Sequence, residues 1–140
     1  MEDAVWGCCP ASWVPPRTRR LGRREELAEK RWGTLLLLPG TAAELRGVSV
    51  ACACLLVEGD CPAALLEAVE TEQVVTYGLS SRDSLTLSSL QEPVLCVQRS
   101  LTRGDGAVIE PQELPLGRLP LPPEQMLPFL GLWLLQVPLP

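Results

Sequence analysis

The chain has 140 residues, of which 46% are hydrophobic, and its formal net charge is −5. This length suits one domain with a real core, whereas the complete lack of histidine excludes Ser-His-Asp and Cys-His catalysis and histidine-ligated metals. Seven of the twelve basic residues lie within residues 1–31, so the remainder is strongly acidic and is expected to bind no nucleic acid.

The cysteines predict a reduced protein rather than a metal or redox site. None of them forms a C-x-x-C motif, which argues against zinc ribbons and thioredoxin-like chemistry. Cys52 and Cys54 alternate within an apolar run and are therefore expected on the same buried face of one strand. No signal peptide precedes the cysteines, and we expect the protein to be cytoplasmic.

Residues 1–21 read as an irregular basic leader. Pro10, Pro15 and Pro16 interrupt any regular element, and the arginines favour contact with water. The alternative is that this segment touches RNA or an acidic lipid surface. We expect the folded domain to span residues 22–117.

Helical and strand-like segments alternate over the first half of this domain. Helices are predicted at residues 23–32 and 63–70, a short helical segment follows Thr41, and apolar strand-like runs cover 34–38, 48–57 and 73–77. Short apolar runs bounded by turn residues are typical of buried parallel strands. The order therefore predicts βαβ units around a parallel sheet.

The pattern changes after Gly78. Residues 85–87 and 93–101 alternate as half-exposed strands do, and a turn at 103–106 predicts a hairpin that returns through 107–109. The predicted fold class is α/β, a small three-layer Rossmann-like domain in which antiparallel strands extend a parallel βαβ sheet.

Residues 118–140 combine a proline-rich connector with an apolar segment at 126–137. The segment is too short for a bilayer, which needs about 20 residues, and we expect it to form a terminal helix that packs on the sheet. The alternatives are a surface for a protein partner or, less favoured, for a membrane surface.

The strongest ligand candidates follow the strand at 73–77. They are Tyr77, Ser80, Ser81, Arg82 and Asp83. Ligands of open α/β sheets bind beyond the carboxyl ends of the strands, where these hydroxyls and one arginine could hold a carboxylate or phosphate. The alternative is a serine-rich turn with an Arg82–Asp83 surface pair.

No catalytic, metal-binding or cofactor-binding residues are predicted. A nucleophilic serine would lack a base, because Lys30 is the only lysine and is distant in sequence. Glu58 and Asp60 also follow a strand and could bind Mg²⁺, although two carboxylates in a loop are common. The sequence contains neither G-x-x-x-x-G-K-[ST] nor G-x-G-x-x-G.

Three short motifs lie in the order VEGDCP (57–62), VVTYGL (74–79) and LPLG (114–117). On the basis of these three motifs, residues 55–116 resemble the end of the central domain of Mur ligases and folylpolyglutamate synthases. Val57 and Gly59 replace the Asn and first Asp of the family motif, whereas Asp60 and Pro62 match. The phosphate loop and C-terminal domain of the family are absent.

The resemblance implies a shared half-fold without ligase activity, in a bacterial protein. We therefore expect a small non-catalytic α/β protein that acts through a protein partner, with residues 126–137 as the contact surface. The alternative is a small-ligand or nucleotide-binding domain that uses the loop after 73–77.

Overall fold

A mixed sheet forms the framework of the protein in the computed structural model, which describes residues 1–89 and 91–136. The strands are β1 (Ala4–Trp6), β2 (Arg19–Leu21), β3 (Trp32–Leu37), β4 (Val50–Glu58), β5 (Val69–Tyr77), β6 (Leu85–Leu87), β7 (Val94–Val97), β8 (Leu101–Thr102), β9 (Val108–Ile109) and β10 (Gln112–Pro115). The α-helices are α1 (Arg24–Leu27) and α2 (Pro123–Leu135), and 3₁₀ turns occupy Ala11–Trp13, Ala42–Leu45 and Ala63–Leu66.

The main sheet confirms the predicted α/β class. Its eight strands lie in the order β10-β7-β6-β5-β4-β3-β1-β2. All neighbours from β2 to β6 pair in parallel, and β7 and β10 pair antiparallel. Since β6 still pairs in parallel with β5, through Tyr77 and Leu85, the change of direction falls between β6 and β7.

Apolar side chains cover both faces of the sheet and make three layers. On one face α2 contributes Leu127, Phe129 and Leu132 to a core with β3, β4 and β6. On the other face Leu27 of α1 and Leu45 of a 3₁₀ turn pack against the sheet. The central strands are therefore buried on both sides, which explains their continuous apolar sequences.

The prediction of an irregular leader at 1–21 is wrong. This segment contains β1 and β2, and Val5 is fully buried beside β3. The prolines lie between the two strands, in a crossover where Trp13 packs edge-on against Phe129 of α2 with ring centroids 5.3 Å apart. The domain boundary at residue 22 is consequently also wrong, because the sheet begins at Ala4.

Two predicted helices are largely replaced by other structure. The helix at 23–32 is limited to the four residues of α1, because Trp32 is fully buried in β3 and its indole N–H donates to the Leu27 carbonyl at 3.0 Å. The helix at 63–70 is a 3₁₀ turn that ends at Leu66, and Val69 already pairs with Val50 of β4. Pairing with the sheet outweighs local helical preference at both places.

The prediction that Cys52 and Cys54 share a face is also wrong. Cys52 lies in the core with Trp32, whereas Cys54 lies in the core with α2. In β3, Trp32 and Leu35 share one core although they are three residues apart, whereas strict alternation would place them on opposite faces. The alternation of side chains therefore changes phase in β3, and it does so beside Cys52 and Cys54 of β4. An irregularity of this kind reverses which face later residues occupy.

Helix α2 packs on the sheet, as expected for residues 126–137, of which Val137 lies outside the described residues. Seven of its residues are buried, and Gly131 lies so close to β4 and β6 that a Cβ there would be 2.9 Å from Leu85 Cδ1. Trp133 stays 48% exposed. No helix within the described residues has the length and apolarity to cross a membrane.

The turn predicted at 103–106 does connect a hairpin. Strands β8 and β9 pair antiparallel, and Gly106 adopts a positive φ of 86° that suits glycine. The Gln73 side chain of β5 holds this hairpin by donating to the Thr102 carbonyl and accepting from the Thr102 N–H.

Candidate functional site

A cavity of about 430 Å³ opens at the carboxyl ends of β4 and β5. We call it the acidic cleft. The residues that line it are Glu58, Gly59, Asp60, Tyr77, Gly78, Leu79, Ser80, Asp83, Glu124 and Leu127. The loops that follow two adjacent parallel strands thus meet the first turns of α2, at the edge of the sheet where α/β proteins bind ligands.

The carboxylate of Asp83 lies between two glycines in this cleft. Only 5% of Asp83 is exposed. A Cβ added at Gly59 would lie 1.8 Å from Asp83 Oδ1, and one added at Gly78 would lie 2.4 Å from Oδ2. Glycine at both strand ends therefore makes room for a buried carboxylate beside the backbone.

Hydrogen bonds hold the loop from Gly78 to Asp83 in place. The Ser80 N–H donates to Asp83 Oδ2 at 3.1 Å, and the Asp83 N–H donates to the Ser80 carbonyl at 3.1 Å. Gln98, just after β7, donates from its side chain to the Asp83 carbonyl at 2.7 Å. A loop held from both sides in this way gives the cleft a preformed wall.

Tyr77 contributes a ring rather than a free hydroxyl. Its hydroxyl donates a 2.7 Å hydrogen bond to the Leu37 carbonyl at the end of β3 and is buried. Burial is the main reason that the pKa of Tyr77 is raised, with the Glu58 charge adding to the effect. The tyrosine therefore stays protonated and supports the strand ends.

The structure brings together three of the five candidate residues. Tyr77, Ser80 and Asp83 line the cleft. Ser81 and Arg82 are exposed and do not line it, while the Arg82 carbonyl accepts a hydrogen bond from Arg99. Whether any of the five binds a ligand stays a prediction.

Carboxylates dominate the charge of the cleft. Glu58, Asp60, Asp83 and Glu124 line it, and no arginine or lysine is among its lining residues in the described part of the chain. This charge disfavours the carboxylate or phosphate expected from Arg82 and favours a cation. Glu58 and Asp60 were visible in the sequence as residues after a strand, but only the packing of α2 places Glu124 beside them.

The carboxylates do not form a metal site. Within residues 1–89 and 91–136, no group of three or more His, Cys, Asp or Glu side chains is arranged to hold a metal ion. One oxygen of Glu58 already accepts a 2.9 Å hydrogen bond from the Gly40 N–H. The cleft therefore offers negative charge without a cluster of metal ligands among the described residues.

Comparison with known proteins leaves the family open. No family model matches the chain, and no curated protein or solved structure matches it significantly. The resemblance to Mur ligases therefore rests on the short motifs and stays a prediction.

Proposed function

We propose that this protein is a non-catalytic domain that binds a small organic cation, such as an amine, in the acidic cleft. The observation that carries the proposal is the convergence of four carboxylates on one cavity without a cationic side chain among its lining residues in the described chain. An ammonium group donates three hydrogen bonds and would be attracted by these charges.

The reactive groups near the cleft support binding rather than catalysis. The Tyr77 hydroxyl is engaged with the Leu37 carbonyl, and burial raises its pKa. Burial also raises the pKa of the Cys61 thiol, just beyond β4, and the Glu58 charge raises it further. A thiol of raised pKa is a poor nucleophile near neutral pH, and free cysteines suit a reducing cytoplasm.

The motifs behind the Mur ligase resemblance agree with a ligand site here. VEGDCP contains the end of β4, and VVTYGL contains the end of β5, so both contribute walls of the acidic cleft. We propose that the cleft keeps a small-molecule role without ligase activity.

Isothermal titration with 1,4-diaminobutane tests the proposal. Asp60→Asn and Glu124→Gln should each weaken binding about two- to fivefold, because each removes one exposed charge from the cleft. Glu113→Gln removes an exposed carboxylate that does not line the cleft and should leave the affinity unchanged, as should Arg82→Ala.

Two results would overturn this function. One is the absence of binding by diamines in low salt, and the other is equal weakening by Asp60→Asn and the Glu113→Gln control. Binding of inorganic phosphate that Arg82→Ala abolishes would instead favour the anion site expected from the loop sequence.

A second candidate function is contact with a protein partner through α2. Trp133 is a large apolar side chain with 48% of its surface exposed, and its indole N–H donates to the Trp13 carbonyl, which fixes the ring. Exposed aromatic side chains of fixed orientation are common in interfaces. A photo-crosslinker at position 133 should capture one defined protein in cells, whereas the same group at Val108, which is 55% exposed, should not.

A further inference from the structure

The strand order creates a topological switch point between β1 and β3. The chain leaves β1 toward β2 over the face that carries α2, since Cys9 and Val14 of that connection lie in the α2 core. It leaves β3 toward β4 over the opposite face, where Ala42 and Leu45 are buried. Connections that diverge from two adjacent parallel strands leave a crevice at their carboxyl ends.

A cavity of about 600 Å³ occupies this crevice, and we call it the switch cavity. The loops after β1, β2 and β3 all contribute to it. Its lining residues are Trp6, Gly7, Cys8, Cys9, Arg20, Leu21, Gly22, Thr41 and Glu44. The acidic cleft has other lining residues throughout, so the two cavities are separate.

One wall of the switch cavity offers donors for an anion. Arg20 is exposed, and one of its nitrogens donates to the Cys9 carbonyl at 3.0 Å, which directs the guanidinium along the loop after β1. The N–H groups of Cys8 and Cys9 donate no hydrogen bond within the described residues. Successive free backbone N–H groups beside an arginine form a favourable environment for phosphate.

Glycine at position 7 makes this loop conformation accessible. Gly7 has a positive φ of 131°, and a Cβ there would lie 2.7 Å from Leu38 Cδ1. A larger residue would therefore strain the backbone and collide with the Leu38 side chain, which follows β3.

The opposite wall offers an acceptor. One oxygen of Glu44 accepts a 3.1 Å hydrogen bond from the Trp6 indole N–H, and the Glu44 carbonyl accepts one from Arg24 at 2.9 Å. These bonds hold Glu44 at the cavity, and its second carboxylate oxygen accepts no hydrogen bond from the part of the chain that the structure describes. A carboxylate beside a phosphate site commonly accepts hydrogen bonds from sugar hydroxyls.

We propose that the switch cavity binds a sugar phosphate. Arg20 and the N–H groups of Cys8 and Cys9 hold the phosphate, and Glu44 accepts hydrogen bonds from the sugar hydroxyls. The cavity volume lies within the range of small-molecule sites.

Amide chemical-shift mapping of the intact ¹⁵N-labelled chain tests the location. Ribose 5-phosphate, inorganic phosphate and ribose are titrated separately. Ribose 5-phosphate should move the Cys8 and Cys9 amide signals and leave those of Ser80 and Asp83 in the acidic cleft unchanged. If the Cys8 and Cys9 signals do not respond to ribose 5-phosphate up to roughly 10 mM, the proposal is overturned.

Three substitutions test the chemistry. Arg20→Met should weaken ribose 5-phosphate binding at least about tenfold, whereas Arg118→Met, which removes an exposed arginine that does not line the cavity, should not. Glu44→Gln keeps an acceptor for the Trp6 indole N–H. It should weaken the binding of ribose 5-phosphate, whereas the binding of inorganic phosphate should be unchanged or stronger.

Equal affinity of wild type and Arg20→Met would overturn the phosphate assignment. Unchanged ribose 5-phosphate binding by Glu44→Gln would overturn the hydroxyl assignment. Asp60→Asn, which tests the acidic cleft, should leave this binding intact, so that failure of one site is distinguishable from failure of the other.

Discussion

Substitution of Gly59 by alanine should destabilise the protein only while Asp83 keeps its carboxylate. Gly59 does not adopt a left-handed backbone conformation, so alanine is allowed there by the backbone. The obstacle is the Asp83 Oδ1 atom, 1.8 Å from the position of the new Cβ. A contact this short forces the carboxylate to move by more than about 1 Å.

The expected cost follows from what this movement breaks. Asp83 Oδ2 accepts the Ser80 N–H at 3.1 Å, and a hydrogen bond to a charged group contributes about 1.5–3 kcal/mol. We therefore expect Gly59→Ala to lower the free energy of unfolding by about 2–3 kcal/mol. In an Asp83→Ala background the obstacle is absent, and the smaller entropy of the unfolded chain should make Gly59→Ala neutral or stabilising by up to about 1 kcal/mol.

Urea unfolding followed by tryptophan fluorescence measures all four members of this double-mutant cycle. Gly78→Ala offers a second version of the test, since its Cβ would lie 2.4 Å from Asp83 Oδ2. An equal effect of Gly59→Ala with and without the Asp83 carboxylate would refute the described position of Asp83, and with it the shape of the acidic cleft.

Three further predictions concern the core. Tyr77→Phe should lower the free energy of unfolding by about 1–2 kcal/mol in urea, because the buried Leu37 carbonyl loses the donor that lies 2.7 Å away; unchanged stability would contradict that hydrogen bond. Burial raises the pKa of the Cys54 thiol to about 12, so above pH about 9 the unfolded chain loses a proton that the folded chain retains. Stability should then fall as pH rises from about 9 to 12, by at most about 1.4 kcal/mol per pH unit, and calorimetry should find a shallower decline in Cys54→Ala than in the exposed-site control Cys8→Ala. Gly131→Ala should cost about 1–3 kcal/mol in thermal unfolding by circular dichroism, because the added methyl would meet Leu85 at 2.9 Å, and this outweighs a gain of about 1 kcal/mol in helix propensity. A more stable Gly131→Ala variant would mean that α2 packs less closely on the sheet.

The central strands were predictable because their sequences are apolar, as expected for strands that are buried on both faces. Residues 34–38 and 48–57 are apolar on both faces, and the structure buries β3 and β4 between two layers. The loop after β5 was also recognisable, since Gly78 ends the apolar run and a polar series begins at Ser80. Local composition was sufficient where one strand and its immediate loop determine the feature.

Features that depend on distant partners were not predictable. β1 has three residues and is flanked by a proline-rich segment, yet it pairs with both β2 and β3, and Val5 is fully buried in the core that contains α2. The helix predicted at 63–70 does not form as a whole, because Val69 pairs with β4. Glu124 joins the acidic cleft only because α2 packs on the sheet, and no local pattern links it with Asp60.

The loop after β3 joins the two cavities at the carboxyl edge of the sheet. The Gly40 N–H holds Glu58, which lines the acidic cleft, and the next residue, Thr41, lines the switch cavity. Thr41 in turn donates from its hydroxyl to the Leu38 carbonyl at 2.7 Å, so hydrogen bonds hold the loop on the side of each cavity. Each cavity nevertheless has its own lining residues, so a substitution in one should leave ligand binding in the other unchanged.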